Sequence, residues 1–161
     1  MIRVQAEPFN PASEIDAFAR GHDHVGAVAT FTGRVRVAGE GPPLIALTLE
    51  HYPGMTERLL AEIEAEARAR WPLADSLIIH RIGRMQPGEA IVLVATASAH
   101  RDAAFDACRF LIDWLKTKAP FWKYEETAAG GAWVAAKDSD DAAAARWEKK
   151  NTAPTGSSGG N

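Results

Sequence analysis

Hydrophobic and polar residues follow two different periods along this chain, and the period decides which segments form helices and which form strands. Apolar residues three and four positions apart predict helices over about 11–20, 55–71, 101–118 and 140–147. Alternating apolar and polar residues predict strands over about 25–36, 44–52, 76–82, 90–99, 121–127 and 133–136.

Turn and capping residues mark the ends of these elements. Asn10 and Pro11 begin the first helix, and prolines end the second and third helices. The breaker-rich segment 38–43 is expected to be the mobile tip of a hairpin that joins the first two strands. The Gln-Pro-Gly turn at 86–88 is expected to lie between two antiparallel neighbours.

Hairpins separated by helices favour an α+β fold, with a largely antiparallel sheet and flanking helices, over a doubly wound parallel sheet. The length of 161 residues fits one domain, which we place at residues 1–150. Residues 151–161 are rich in Gly, Ser and Thr, and we expect them to form a disordered tail.

Composition and charge exclude several classes of protein. The chain is 47% hydrophobic and 24% charged, as in a folded globular protein. Its net charge of -3 gives it no overall attraction for nucleic acid or for an anionic membrane. Cys108 has no cysteine to pair with, and residues 1–9 lack the apolar core of a signal peptide, so we expect a cytoplasmic protein. No stretch reaches the ~20 apolar residues of a membrane-spanning helix.

Motifs that identify nucleotide-binding proteins and common hydrolases are absent from the sequence. His22 and His24 could ligate a metal, but no third ligand stands at a recognisable spacing, so we expect a solvated loop and no metal site. Cys108 lies on the apolar stripe of its helix, where we expect it to pack as a small hydrophobic residue.

Two arginine-containing segments stand at the ends of predicted elements. Arg34 and Arg36 end the first strand, where alternation would direct both guanidinium groups toward one anion such as phosphate or carboxylate. His100 and Arg101 open a helix whose free N–H groups and dipole also favour an anion. A solvated strand end and an ordinary helix cap are the structural alternatives.

Lysines stand at the end of the same helix and just after it. Lys116 lies in the last turn, where the helix dipole stabilises a cation with or without a function. Lys123 follows among Phe121, Trp122 and Tyr124, and apolar neighbours of this kind lower a lysine pKa and make it useful for catalysis. The alternatives are an exposed lysine beside buried rings, or an aromatic surface that stacks nucleotide bases.

Five segments together resemble the MoaE family, the catalytic large subunits of molybdopterin synthase. The resemblance runs in order over about residues 7–147. Its motifs are TFTGRVR at 30–36, LEHYPGM at 49–55, HRIG at 80–83, SAHR at 98–101 and KTKAPFWK at 116–123. The loop 37–43 and the tail from residue 151 match none of the family motifs.

The resemblance implies a hammerhead-type α+β fold and a sulfurtransferase. Sulfur would pass from a small ubiquitin-like carrier, whose C-terminal Gly-Gly ends in a thiocarboxylate, to cyclic pyranopterin monophosphate, forming the dithiolene of molybdopterin. A homodimer of large subunits, with one carrier at each end of a heterotetramer, is also implied, without a cofactor or a metal. This chain ends in Asn161 rather than glycine, so it is expected to be the acceptor of the carrier and not the carrier.

The resemblance also implies the site residues. Lys116 is expected to act as general acid or base, or to stabilise the carrier carboxyl group, with support from Lys123. The substrate-binding residues that the motifs imply are Arg34, Val35, Arg36, His100, Arg101, Lys116, Lys123, Tyr124 and Glu125.

A non-catalytic module that binds anions or single-stranded nucleic acid is the alternative function. Phe121, Trp122 and Tyr124 with the nearby lysines would form its surface. The net charge of -3 speaks against this alternative.

Overall fold

The computed structural model describes residues 1–37, 41–134 and 145–147. Three helices and two four-stranded sheets form the described part of the chain. In chain order the elements are β1 Ile2–Gln5, α1 Pro11–Arg20, β2 Ala27–Arg34, β3 Leu44–His51, α2 Met55–Arg70, β4 Leu73–Arg81, β5 Gly83–Met85, β6 Ala90–Ser98, α3 Arg101–Thr117, β7 Phe121–Thr127 and β8 Gly130–Val134.

The first sheet has the strand order β1-β4-β6-β2 and helices on both faces. Alternation along β4 and β6 sends Leu77, Ile79 and Leu93 toward α1, and Ile78 and Val94 toward α2 and α3. The predicted antiparallel pairing of β4 with β6 is confirmed, and within the described residues only β1 with β4 is parallel. The predicted α+β class, with flanking helices, is therefore confirmed.

The second sheet has the order β5-β3-β7-β8, and it shows that one predicted hairpin is wrong. β2 and β3 do not pair: β2 pairs with β6 in the first sheet, and β3 pairs with β5 and β7 in the second. The intervening loop thus carries the chain from one sheet to the other. Alternation identifies a strand but not its partner, which explains the error.

The two sheets meet at one end of the first sheet. Val35 and Ile91 from the first sheet pack there against Leu47, Leu49 and Met85 from the second. We call this contact the sheet junction. It places the start of β7 beside the ends of β2 and β4.

The first three predicted helices are confirmed, because their end signals are local in sequence. The Asn10 side chain accepts hydrogen bonds from the backbone N–H groups of Ala12 at 3.0 Å and Ser13 at 3.3 Å. β2 is two residues shorter at each end than predicted, and β8 starts three residues earlier than predicted. The short strands β1 and β5 were not predicted.

Three residues of the predicted last helix are described, and they are helical. Trp147 packs edge-on against Trp71 and Phe110, with ring centroids 5.6 and 5.5 Å apart, and its side chain is buried. Its predicted role as an anchor on the core is confirmed. The rest of that helix, positions 38–40 of the predicted loop and the predicted tail 151–161 lie outside the described residues.

Cys108 occupies the core between α3 and the first sheet, as predicted. Burial raises the pKa of its thiol to about 11, so the reactive thiolate is disfavoured. The His22 Nδ1 donates a hydrogen bond to the Phe18 carbonyl, 2.8 Å away, and its Nε2 lies 3.3 Å from Asp75. Among the described helices, none has the length and apolar character required to cross a membrane.

Candidate active site

Lys116 and Lys123 lie at the same end of the first sheet, near the sheet junction. α3 runs antiparallel to β6, since Thr96 donates a hydrogen bond to the Ala104 carbonyl and Cys108 lies against the Val94 carbonyl. The C-terminus of α3 is therefore near the start of β6. β7 begins after the short segment 118–120, so Lys123 remains close to this end.

Alternation along β7 separates Lys123 from two of its aromatic neighbours. Phe121 points inward and stacks on His80, whereas Trp122 is half exposed on the other face and Tyr124 packs against Trp133. Lys123 itself is exposed. The predicted lysine surrounded by three aromatic rings is therefore wrong, because adjacent residues on a strand point in opposite directions.

The remaining β7 residues of the predicted site divide between the two faces of the strand. Glu125 is half-buried and shares the face of Lys123, two residues earlier. Tyr124 belongs to the opposite face. Of these two, Glu125 is placed to act together with Lys123.

Two lysines at the end of α3 have different surroundings. The Lys118 ammonium lies 3.7 Å from the centre of the Trp114 ring, in a cation–π contact. Lys116 is exposed in the last helical turn. The structural role considered for a lysine at this helix end is met at Lys118 by the cation–π contact.

Arg34 faces away from these lysines. Its Nε donates to the Gly88 carbonyl at 2.8 Å, and its Nη2 donates to the same oxygen. It lines an open cavity of about 490 Å³ with the start of α1, on the face of the first sheet opposite to α3. Arg34 therefore holds the turn between β5 and β6.

Val35 and Arg36 lie beyond the end of β2, after a register shift between Gly33 and Arg34. The predicted placement of both arginines on one strand face is therefore wrong, because the alternation ends at Arg34. Val35 is buried at the sheet junction, and its backbone pairs with Gly88 and Glu89. Arg36 is exposed and forms no ion pair within the described residues.

Arg36 and Lys123 lie in the same region of the fold. Val35 packs with Leu49, and Leu49 is the cross-strand partner of Lys123. The adjacent Arg36 therefore lies at the sheet junction, in the same region as Lys123. This region contains the exposed cations Arg36, Lys116 and Lys123, which we call the lysine cluster.

His100 and Arg101 lie at the other end of the molecule. His100 is the N-cap of α3 and makes no side-chain capping bond, and Arg101 is 84% exposed. Arg101 and Lys116 are 15 positions apart along the helix, which separates them by about 22 Å. One chain therefore does not bring the two groups of predicted site residues together.

His80 was not predicted as a site residue, although it stands in one of the quoted motifs. The His80 ring is 8% exposed, and it stacks on Phe121 with centroids 3.9 Å apart and planes at 12°. Burial, with smaller effects from the charges of Lys123 and His51, lowers its pKa to about 4 against an opposing bond to the Arg81 carbonyl. The feature that could have identified it in the sequence is a histidine on the inward face of an apolar strand. Within the described residues, no cluster of three or more His, Cys, Asp or Glu side chains suits a metal ion.

Comparison with known proteins identifies the family. The family model described as MoaE protein matches residues 4–118. The molybdopterin synthase catalytic subunit of Pseudomonas aeruginosa is 55% identical over 148 residues, which make up 92% of this chain and 99% of that protein. The solved structure of the molybdopterin biosynthesis MoaE protein from Burkholderia ambifaria has a TM-score of 0.78 and 48% identity, and the match covers 92% of this chain and 97% of that one.

A more distant structure has the same fold. It is a complex of subunits 1 and 2 of molybdopterin-converting factor from Helicobacter pylori, with a TM-score of 0.70 and 18% identity over 85% of this chain and 90% of that one. Fold and site together define an α+β enzyme with cations displayed at two ends of its largest helix. The chain belongs to the MoaE family. It is a sulfurtransferase of the class of its curated relatives, the catalytic subunits of molybdopterin synthase.

Proposed function

We propose that this chain transfers sulfur from a thiocarboxylated small carrier subunit to cyclic pyranopterin monophosphate, and so forms the dithiolene of molybdopterin. The main observation that supports this proposal is the lysine cluster, because it places exposed cations beside the half-buried Glu125. A carrier that ends in an anionic thiocarboxylate and a phosphate-bearing substrate both require cations of this kind.

The sulfur transfer assigns a task to each member of the cluster. The carrier sulfur attacks a substrate carbon, whose bond to an oxygen substituent breaks, and this oxygen leaves with the electron pair and takes up a proton. Water then attacks the acyl carbon and breaks its bond to sulfur. The carrier leaves as a carboxylate, and the sulfur stays on the substrate as a thiolate. Lys116 stabilises the negative charge that develops on the acyl oxygen and moves a proton to or from the reacting groups, and Lys123 supports it.

A second copy of the chain completes the site. Arg101 is about 22 Å from Lys116 within one chain, so a compact substrate reaches both only if the arginine belongs to a partner copy. The edge strand β2 and α3 leave Val28, Phe31 and Phe105 between 38% and 65% exposed, which gives this copy an apolar surface to cover. We assign substrate phosphate binding to Arg36 of one copy and to His100 and Arg101 of the other.

The complete assembly is then a heterotetramer, with a homodimer of this chain at its centre and one carrier subunit at each site. Arg36, Lys116 and Lys123 are all exposed, so the extended C-terminus of a carrier has access to the lysine cluster. The Gly-Gly ending suits this approach, because glycine leaves room for the backbone to come close to neighbouring side chains.

Reconstitution tests the proposed function. The purified chain is mixed with thiocarboxylated carrier and cyclic pyranopterin monophosphate, and molybdopterin is measured. We expect molybdopterin to form with two thiocarboxylates consumed per product, and none to form with a carrier that ends in an ordinary carboxylate. Absence of product with a carrier that is active with another catalytic subunit would contradict the proposal.

The nucleic-acid alternative has one favourable observation, the exposed Trp122 and Trp133 on the outer face of the second sheet. The same face carries carboxylates, since Glu50 pairs with Trp122 across the strands and Glu126 forms an ion pair with Arg84. These carboxylates repel phosphate groups. A salt titration of binding to a short oligonucleotide is expected to show no specific binding.

A further inference from the structure

His80 is a buried imidazole at the boundary between the two sheets. It lies near the end of β4, opposite Val92 of β6, and the chain crosses to the second sheet a few residues later. Alternation directs its side chain to the face that also holds Ile78, and there it meets Phe121 from β7. A phenyl ring would fill the same space without the free-energy cost of burying polar nitrogen atoms. The ring nitrogens of His80 are therefore expected to have a role of their own.

The hydrogen bonding of His80 determines which nitrogen carries the proton. Its Nδ1 is 2.9 Å from the backbone carbonyl of Arg81. A carbonyl oxygen only accepts, so the neutral ring carries its proton on Nδ1 and keeps a lone pair on Nε2. Within the described residues, Nε2 has no hydrogen-bond partner. Burial lowers the pKa of the ring to about 4, so this neutral form prevails at physiological pH.

Charged groups approach His80 from neighbouring elements. Lys123 on β7 and His51 on β3 both act on it electrostatically, and His51 lies 3.6 Å from Glu57 of α2. The guanidinium group of Arg81 is engaged elsewhere, with Glu89 and the Ala6 carbonyl. Lys123 is thus a nearby donor with an exposed ammonium group, on the same strand face as the stacked Phe121.

We propose that His80 is a positioning residue for Lys123, whose ammonium group donates a hydrogen bond to Nε2 of His80 when carrier and substrate fill the site. The stacked Phe121 fixes the ring relative to β7, and the bond between Nδ1 and Arg81 keeps the lone pair on Nε2. The flexible lysine side chain is thereby held in one orientation during sulfur transfer. This inference rests on the proposed function of the lysine cluster.

Steady-state kinetics test this role through a double-mutant cycle. His80→Phe keeps an aromatic ring against Phe121 and removes both nitrogens. At saturating carrier, we expect it to lower kcat at least tenfold with KM changed less than twofold, while thermal unfolding shows a folded protein. In a Lys123→Ala background the same substitution is expected to change kcat less than twofold, because its effect passes through Lys123. Equal losses in the two backgrounds, or an unchanged kcat in folded His80→Phe, would overturn the proposal.

A conservative pair of variants separates the two nitrogens of the ring. His80→Asn keeps a donor near the position of Nδ1, and His80→Gln keeps an acceptor near the position of Nε2. We expect His80→Gln to recover more of the kcat than His80→Asn. The reverse order would assign His80 to the fold alone.

Nitrogen NMR on the chain without partners tests whether the charge of Lys123 lies close to His80, as the proposed bond requires, even if the reconstituted enzyme makes no product. Lys123→Ala leaves His80 intact, and it is expected to raise the pKa of His80 and to shift its Nε2 resonance, because a nearby positive charge is removed. Lys118→Ala, whose ammonium group lies on Trp114, is the matched control and is expected to leave both unchanged. Unchanged His80 signals in Lys123→Ala would reject this inference, whereas absence of product with positive NMR results would reject only the proposed function.

Discussion

Lys116 is exposed in the last turn of α3, so its substitution tests chemistry with little effect on the fold. We expect Lys116→Ala to lower the rate of molybdopterin formation by about 10²-fold or more, as for loss of a general acid or base. The free energy of unfolding is expected to change by less than about 1 kcal/mol. Lys118→Ala, two residues along, is the matched control and should keep near-normal turnover. Normal turnover by Lys116→Ala at saturating carrier would contradict the assignment.

Arg36 and Arg101 are both exposed, and we assign both to the substrate phosphate. Replacing either by Ala is expected to weaken substrate binding by about 1.5 to 3 kcal/mol, the range for a hydrogen bond to a charged group. Carrier affinity should change less, and calorimetry measures both. Arg20→Ala is the control, because Arg20 is an exposed arginine at the end of α1 that pairs with Asp16 and belongs to none of the site motifs. Unchanged substrate affinity in both variants would refute the phosphate role.

His80 makes stability depend on pH in a specific range. Its pKa is about 4 in the fold and 6.5 in an ordinary environment, so between these values the unfolded chain binds the extra proton. The stabilising effect is fully present above pH 6.5 and is lost as the pH falls toward 4. When the pH falls from 7 to 5, we expect the free energy of unfolding to decrease by about 2 kcal/mol because of His80. Urea unfolding at pH 7 and at pH 5 measures this decrease. In His80→Phe the decrease in the free energy of unfolding should be smaller by about the same amount. An equal decrease in the variant and in the original chain would contradict this prediction.

The candidate site residues were predicted mainly from the motifs, and the structure agrees only in part with the placement predicted for their side chains. A linear run of aromatic residues around Lys123 suggested a desolvated lysine, but neighbouring strand residues face opposite sides. Arg34 and Arg36 were paired by alternation, which stops where β2 ends. The contact between His80 and Phe121 joins residues 41 positions apart, and no local pattern indicates it.

At the scale of elements, the last described turn tests where the domain ends. Trp147 packs on Trp71 and Phe110, and its Nε1 donates to an Asp113 carboxylate oxygen at 2.8 Å. Ending the chain before Trp147 is expected to destabilise the protein by about 3 to 5 kcal/mol, as for loss of a buried tryptophan. Ending it after Lys150 should change neither the thermal midpoint nor molybdopterin yield, as we propose for a single domain over 1–150. Equal losses in the two truncations would contradict this boundary.

Helices were predicted more accurately than strand pairing for a physical reason. The cap at Asn10, the proline at the first position of α1 and the apolar stripe of α3 are all local signals. The partner of β3 is β7, about 75 residues later, and that choice depends on how two sheets pack. The short strands β1 and β5 contain too few residues for alternation to be distinguished from chance.

At the scale of the whole molecule, a site shared between two copies predicts complementation. At a substrate concentration far below the dissociation constant of Arg101→Ala, Arg101→Ala and Lys116→Ala are each expected to have little activity as homodimers. After subunit exchange in an equal mixture, half of the dimers contain one of each, and in these one site has both residues intact. About a quarter of the original activity should therefore return. A mixture that stays inactive after exchange, confirmed by mass spectrometry of the mixed dimers, would contradict the shared site.

The strand order of the two sheets also bears on how the chain folds during synthesis. β2 finds its partner in β6, and β3 pairs with the three-residue β5 and with the longer β7, so each strand lacks its long partner until much of the remaining chain has left the ribosome. At ordinary elongation rates the residues between β3 and the end of β7 take about 4 to 15 s to be made. During this time the apolar edges of β2 and β3 are open to other chains. Rapid overexpression therefore favours aggregation of this protein, and slower translation or a chaperone that covers β3 should raise the soluble yield.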